Sequence, residues 1–233
     1  MQNIKNMLVG YKFNDIINMD GDWMENIFVT SGGFNTINNY VSEDNIKLFE
    51  KLSKGKKILI IANAAPKETG NYIARENVRE NFLKVGAIKV DIVELNKDNV
   101  DMILDYDILY GLGGNITHLI ELNQNTNFKD ILIKFLEKGI YIGESAGSMI
   151  LSDDVKYAYD LKRGTKLKYD VILDSYAGLG LIDIYIYPHF QKASDEMKIK
   201  TTQFELETGI NITRLNDGEI IKYSYSNNKN KSL

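Results

Sequence analysis

Short apolar runs alternate with longer amphipathic ones along most of the chain, and this alternation limits the fold more than any other feature. Residues 26–30 (NIFVT), 56–64 (KKILIIANA), 89–95 (KVDIVEL), 107–114 (DILYGLGG), 140–145 (IYIGES) and 181–190 (LIDIYIYPHF) read as strands. Residues 45–55, 68–85, 115–124, 128–139 and 195–209 carry helical spacing, and Gly55 and Gly86 stand where two of these helices should stop. Residues 212–225 read as a terminal hairpin turning at Asn216-Asp217-Gly218. Strands separated by helices of ten or more residues imply parallel βαβ units with helices on both faces. In such a sheet the ligand site lies at the carboxyl ends of the strands. Three strands here run into glycine or serine, at 31–33, 111–114 and 143–147, so the chemistry is expected at those ends.

No linker or internal repeat divides the chain, and its only prolines are Pro66 and Pro188. With 44% hydrophobic residues in 233, it has ample material for one core, and a single domain is expected over 24–225. Residues 1–23 read as an N-terminal extension and 226–233 as a polar tail. A net charge of −4 gives no reason to expect a nucleic-acid or anionic-membrane partner. The absence of cysteine excludes disulfides and a thiol nucleophile, and two histidines make a multi-histidine zinc site improbable. No cofactor is expected. No apolar run approaches the roughly 20 residues of a membrane span, and the N-terminus is too polar for a signal segment, so a cytoplasmic location is expected.

The stretch Gly143-Glu144-Ser145-Ala146-Gly147 has the form G-x-S-x-G between a strand and a helix. With 18 glycines and 11 serines, chance supplies about 0.07 such matches, so the pattern calls for a physical reason. A strand that turns sharply into a helix leaves the serine strained and its hydroxyl exposed. The residues two before and two after then come close together and must be very small. Ala146 N–H is the expected first oxyanion donor, and Gly113 and Gly114 in the GLGGN turn are candidates for the second. A serine nucleophile needs a base. His189, at a strand end, suits that task better than His118, which falls inside a helix. Asp160 and Asp217 are both candidates for the carboxylate that fixes the histidine tautomer.

Taken in order, GGN with Thr117, YIGESAGS, PHF and LNDG resemble the dipeptidase E (aspartyl dipeptidase) family of serine peptidases, within the class I glutamine amidotransferase-like superfamily. The resemblance spans about 25–225. It implies a three-layer α/β/α sandwich with a mostly parallel central sheet, and hydrolysis of short peptides after an N-terminal aspartate. It implies Ser145 as nucleophile, His189 as base, Asp217 as the acidic partner and Asp160 as a second acidic residue. Gly114 and Ala146 correspond to the oxyanion donors. The arginine that the resemblance implies for the substrate aspartate has no matching position; Arg163, Lys198 and Lys200 are the candidate substitutes, and Asn115 is a further candidate substrate contact. A short peptide is the only partner expected, and a homodimer is compatible with the reading.

The chain also departs from the family pattern. Leu112 replaces a glycine of the turn, Ile116 takes the threonine place, and Asp217 is one methylene shorter than glutamate. Two other readings therefore stay open: an amidotransferase-like domain that has lost hydrolysis and serves as a binding or sensor module, and an isopeptidase acting on isoaspartyl or poly-aspartate substrates, as cyanophycinases do.

Overall fold

A computed structural model describes residues 25–36, 41–67, 72–161, 173 and 175–225. Six strands form the main sheet in the order β3-β2-β4-β5-β1-β8. These are β1 (Ile27–Thr30), β2 (Lys57–Ile61), β3 (Lys89–Val93), β4 (Ile108–Gly111), β5 (Ile140–Glu144) and β8 (Ile220–Tyr223). The first five are parallel, and β8 pairs antiparallel with β1 at the edge. Continuous apolar runs such as KILII arise because both faces of these strands are covered.

Alternate residues feed two cores. Phe28, Ile58, Ile60, Tyr110 and Ile142 pack on α1 (Glu43–Ser53) and α2 (Tyr72–Lys84) through Phe49, Leu52, Val78 and Phe82. Val29, Leu59, Leu109 and Tyr141 face the opposite side. There they share a core with α3 (Ile116–Asn125), α4 (Phe128–Phe135) and α5 (Ala146–Met149). The result is the expected α/β/α sandwich. The Ser42 and Ser194 hydroxyls accept from Asn45 and Met197 N–H and so start α1 and α7 (Asp195–Thr208).

Two sequence expectations need correction. The run 181–190 yields only a short strand, β6 (Tyr185–Pro188), which lies outside the main sheet and pairs parallel with β7 (Ile212–Leu215). Residues 212–225 do not close a hairpin, because β7 follows β6 while β8 crosses to β1. The turn at 216–218 is real, and Asn45 on α1 anchors it by donating to the Gly218 carbonyl at 2.7 Å. Asp160 ends a short helix, α6 (Lys156–Asp160). Tyr157 of that helix ties it to β6, donating to Ile186 C=O and accepting from its N–H. Residues 1–24 and 226–233 lie outside the described residues.

Candidate active site

Strand order explains why the three flagged ends matter. β4, β5 and β1 are neighbours, so their carboxyl ends bring together the Gly113–Gly114 turn, Ser145 and the Ser31–Gly33 turn. Ser145 has φ 49° and ψ −107°, a conformation that L-residues avoid and that persists only where surrounding contacts hold it. Those contacts are present. Ser145 N–H donates to Thr30 C=O at 3.0 Å, and its own carbonyl accepts from Ser148 and Met149. The Ser148 hydroxyl accepts from Thr30 N–H and lies within donating distance of the Thr30 and Gly143 carbonyls, at 2.8 and 2.7 Å.

The elbow closes only because its glycines lack side chains. A Cβ on Gly143 would lie 2.6 Å from Gly147 O, and one on Gly147 would lie 2.1 Å from Gly111 O. Both obstacles are backbone and cannot swing aside. Gly147→Ala is therefore expected to lose about 3 kcal/mol of stability or more, read from the denaturant midpoint. An alanine variant as stable as the wild type would refute this account of the turn.

On the β4 side, the Gly113 backbone passes so close that a Cβ there would sit 3.1 Å from Ser145 Cβ. Gly114 has φ 140°, and its own Cβ would strike Ala64 O at 2.1 Å. The two glycines the turn needs are thus in place. Leu112, which departs from the family pattern, is buried at 2% exposure in the sheet's α1–α2 core. Ala146 N–H leads α5 and has no earlier helical carbonyl to bond.

His189 follows β6 with φ 58°. Its Nδ1 lies 2.5 Å from Asp217 Oδ1, and the Asp217 side chain is fully buried. Ser31 sits between the two segments. It accepts from His189 N–H at 2.7 Å and donates to Asp217 Oδ1 at 2.8 Å. Lys192 places its ammonium 2.7 Å from Asp217 Oδ2. Burial works to raise the Asp217 carboxyl, but Lys192, Ser31 and His189 together hold it below its ordinary value. A charged Asp217 keeps the proton on Nδ1 and leaves Nε2 as the acceptor.

Glu144, just before the serine, is 7% exposed. Its Oε2 accepts from Tyr110 OH at 2.6 Å, and that hydroxyl accepts from Phe34 N–H. Phe34 is held by Phe49 and Phe82, with ring centroids at 4.5 and 5.1 Å. Burial pushes the Glu144 carboxyl up to about 7, against the Tyr110 hydrogen bond and with the help of the Asp217 charge.

The site thus holds a strained serine elbow, a glycine turn beside it, and a His189–Asp217 pair tied to the end of β1 through Ser31. The sequence model of Peptidase family S51 matches residues 27–229. The chain belongs to peptidase family S51. Among S51-like relatives, it is 28% identical over 142 residues to an uncharacterized peptidase of Pasteurella multocida (strain Pm70), covering 59% of this chain and 66% of that one. It is 26% identical over 170 residues to an uncharacterized peptidase of Listeria innocua serovar 6a, covering 72% and 77%. A crystal structure from Listeria monocytogenes EGD-e assigned to peptidase E superimposes with a TM-score of 0.65 at 21% identity, over 87% of this chain and 99% of that one. A peptidase from an acI-B1 Actinobacterium gives 0.54 at 16% identity, over 77% and 75%. At these identities the two structures speak for the S51 fold alone.

The remaining candidates of this S51 chain fall as follows. Asp160 pairs with Lys156 at 2.7 Å on the exposed side of α6, whereas Asp217 is the carboxylate at His189. His118 pairs with Glu121 along α3 at 3.1 Å. Asn115 caps α3, its Oδ1 accepting from Thr117 N–H, and the Thr117 hydroxyl meets Tyr159 OH. Lys200 donates to Leu161 C=O, and Lys198 lies 3.4 Å from Asp195. Arg163 lies outside the described residues. Sequence reasoning missed Ser31, Lys192 and Glu144. Ser31 lay within a flagged strand end and Glu144 within the quoted motif, so position pointed to both even though residue type did not. Among the described residues, no group of acidic and histidine side chains is arranged to hold a metal, and no helix is long and apolar enough to cross a membrane.

Proposed function

We propose that the chain is a serine peptidase acting on short peptides. The observation that carries this reading is that one sheet end holds both a strained Ser145 elbow and, tied to β1 through Ser31, a His189 whose Nδ1 lies 2.5 Å from a buried Asp217 carboxylate. Ser145 Oγ attacks the scissile carbonyl as His189 Nε2 takes its proton. The oxyanion draws on Ala146 N–H and an N–H of the Gly113–Gly114 turn. Collapse expels the amine, which receives the proton from His189 and leaves an acyl group on Ser145. Water, activated by the same imidazole, hydrolyses that ester.

The intact elbow and charged Asp217 favour this over a domain that has lost hydrolysis. The aspartate preference implied by the family is the finer part of the proposal. Cleavage of Asp-Leu, Ala-Leu and Leu-Leu by the purified protein tests both levels. Hydrolysis of Asp-Leu well above the others is expected. Equal rates on all three would remove the aspartate preference, and no cleavage of any, with no fluorophosphonate labelling of Ser145, would overturn the peptidase reading.

A further inference from the structure

We infer that Glu144 receives the free α-ammonium of the peptide substrate, and so confines cleavage to the bond after the first residue. This rests on the serine-peptidase reading above and adds the group that selects the substrate's N-terminus.

The geometry starts from the Gly113 turn. A Cβ built on Gly113 would lie 3.1 Å from Glu144 Oε1 and also 3.1 Å from Ser145 Cβ. Two points each 3.1 Å from one position are at most 6.2 Å apart, so the carboxyl reaches the immediate surroundings of the nucleophile. In a peptide cut after its first residue, the α-nitrogen is two bonds, about 2.5 Å, from the scissile carbonyl carbon. That carbon sits about 3 Å from the attacking oxygen. The ammonium therefore falls in the same shell around Ser145 that Glu144 occupies. A peptide cut further along its chain would carry its ammonium well beyond it.

The carboxyl is also built for such a partner. Gly33 and Gly113 flank it: a Cβ on Gly33 would lie 2.9 Å from Glu144 Cγ and 1.9 Å from Tyr110 OH. Both lack side chains on the faces that approach Glu144. Oε2 is fixed by Tyr110, which is held in turn by Phe34 N–H, so the carboxyl is oriented before any substrate arrives. Among the described residues, the groups that act on its charge are Tyr110 on β4 and Asp217 in the turn before β8, and neither is a cation. A carboxylate more than nine-tenths buried without a cation is costly. Burial raises the carboxyl above its ordinary value, and an ammonium brought by the substrate offsets that cost.

The test compares free and N-acetylated Asp-Leu, Ala-Leu and Leu-Leu on the wild type and on Glu144→Gln, with p-nitrophenyl acetate as an ester that carries no amine. Glutamine keeps the size and the acceptor for Tyr110 but removes the charge. The wild type should prefer the free amine by about 100-fold or more in kcat/KM, a factor of 10 for each 1.4 kcal/mol. In Glu144→Gln, the loss on free dipeptides should exceed the loss on the ester by about 30-fold, chiefly through KM. Equal losses on dipeptides and ester, or undiminished dipeptide cleavage, would overturn the assignment. If Glu144→Gln does not fold, the wild-type comparison still decides: equal cleavage of free and acetylated peptides sinks the inference. A wild type that a fluorophosphonate does not label at Ser145 would instead remove the peptidase reading and the inference with it.

Discussion

Ser145→Ala is expected to abolish peptide hydrolysis, lowering kcat by on the order of 10⁴-fold or more, with no loss of fold. The size follows from the chemistry: without the hydroxyl no acyl-enzyme forms, and only the oxyanion donors and substrate binding remain to assist water. Retention of the fold follows from the local packing. The elbow is held through the Ser145 backbone, by its N–H to Thr30 and its carbonyl to Ser148 and Met149, and the hydroxyl of Ser148 makes the side-chain ties to β1 and β5. Alanine keeps every one of those backbone bonds. It must still adopt a positive φ, as serine does, so its strain is similar. Dipeptide hydrolysis and fluorophosphonate labelling should both vanish while the unfolding midpoint stays within a few degrees of wild type. Hydrolysis near the wild-type rate would remove Ser145 from the mechanism.

The sandwich was legible because buried parallel strands leave unbroken apolar runs, and runs such as KILII and IYIG have few other places to go. The site was legible at the elbow, where steric demand writes itself into sequence as two glycines at fixed distance from a serine. Other features have no such trace. Strand order depends on how helices pack across the sheet, so nothing in GLGGN, GESAG or VTSGG announces that β4, β5 and β1 are neighbours. YIYP reads like any core strand, yet β6 and β7 form a separate pair, because a four-residue run carries no record of its pairing partner. Helix α6 has five residues, too few to show a period. Ser31 acts on a histidine 158 positions away, and Lys192 acts through a turn that its sequence does not mark.

Asp217→Asn should lower kcat by on the order of 10³- to 10⁴-fold, the scale of losing the correct histidine tautomer, whereas His118→Ala should change it by less than about twofold. The asparagine has no good orientation. With its oxygen toward His189 and Ser31, its NH₂ faces the Lys192 ammonium, which now sits donor against donor. With the amide flipped, NH₂ donates to His189 Nδ1, moves the ring proton to Nε2 and occupies the position that must accept from Ser145. Either way the base is disabled while the hydroxyl and the elbow remain. The pH dependence of stability gives a second readout with a definite sign. The Asp217 carboxyl is held below its ordinary value in the folded chain, so its charged form stabilises the native state at and above the ordinary carboxylate range. That stabilisation is lost only as pH falls through the lowered folded value. The asparagine variant should therefore melt below the wild type at pH 7, and the gap should narrow toward pH 3 and below. A gap that stays constant with pH would mean that Asp217 is not held as an anion by Lys192, Ser31 and His189, and wild-type kcat in the asparagine variant would mean that His189 does not need it.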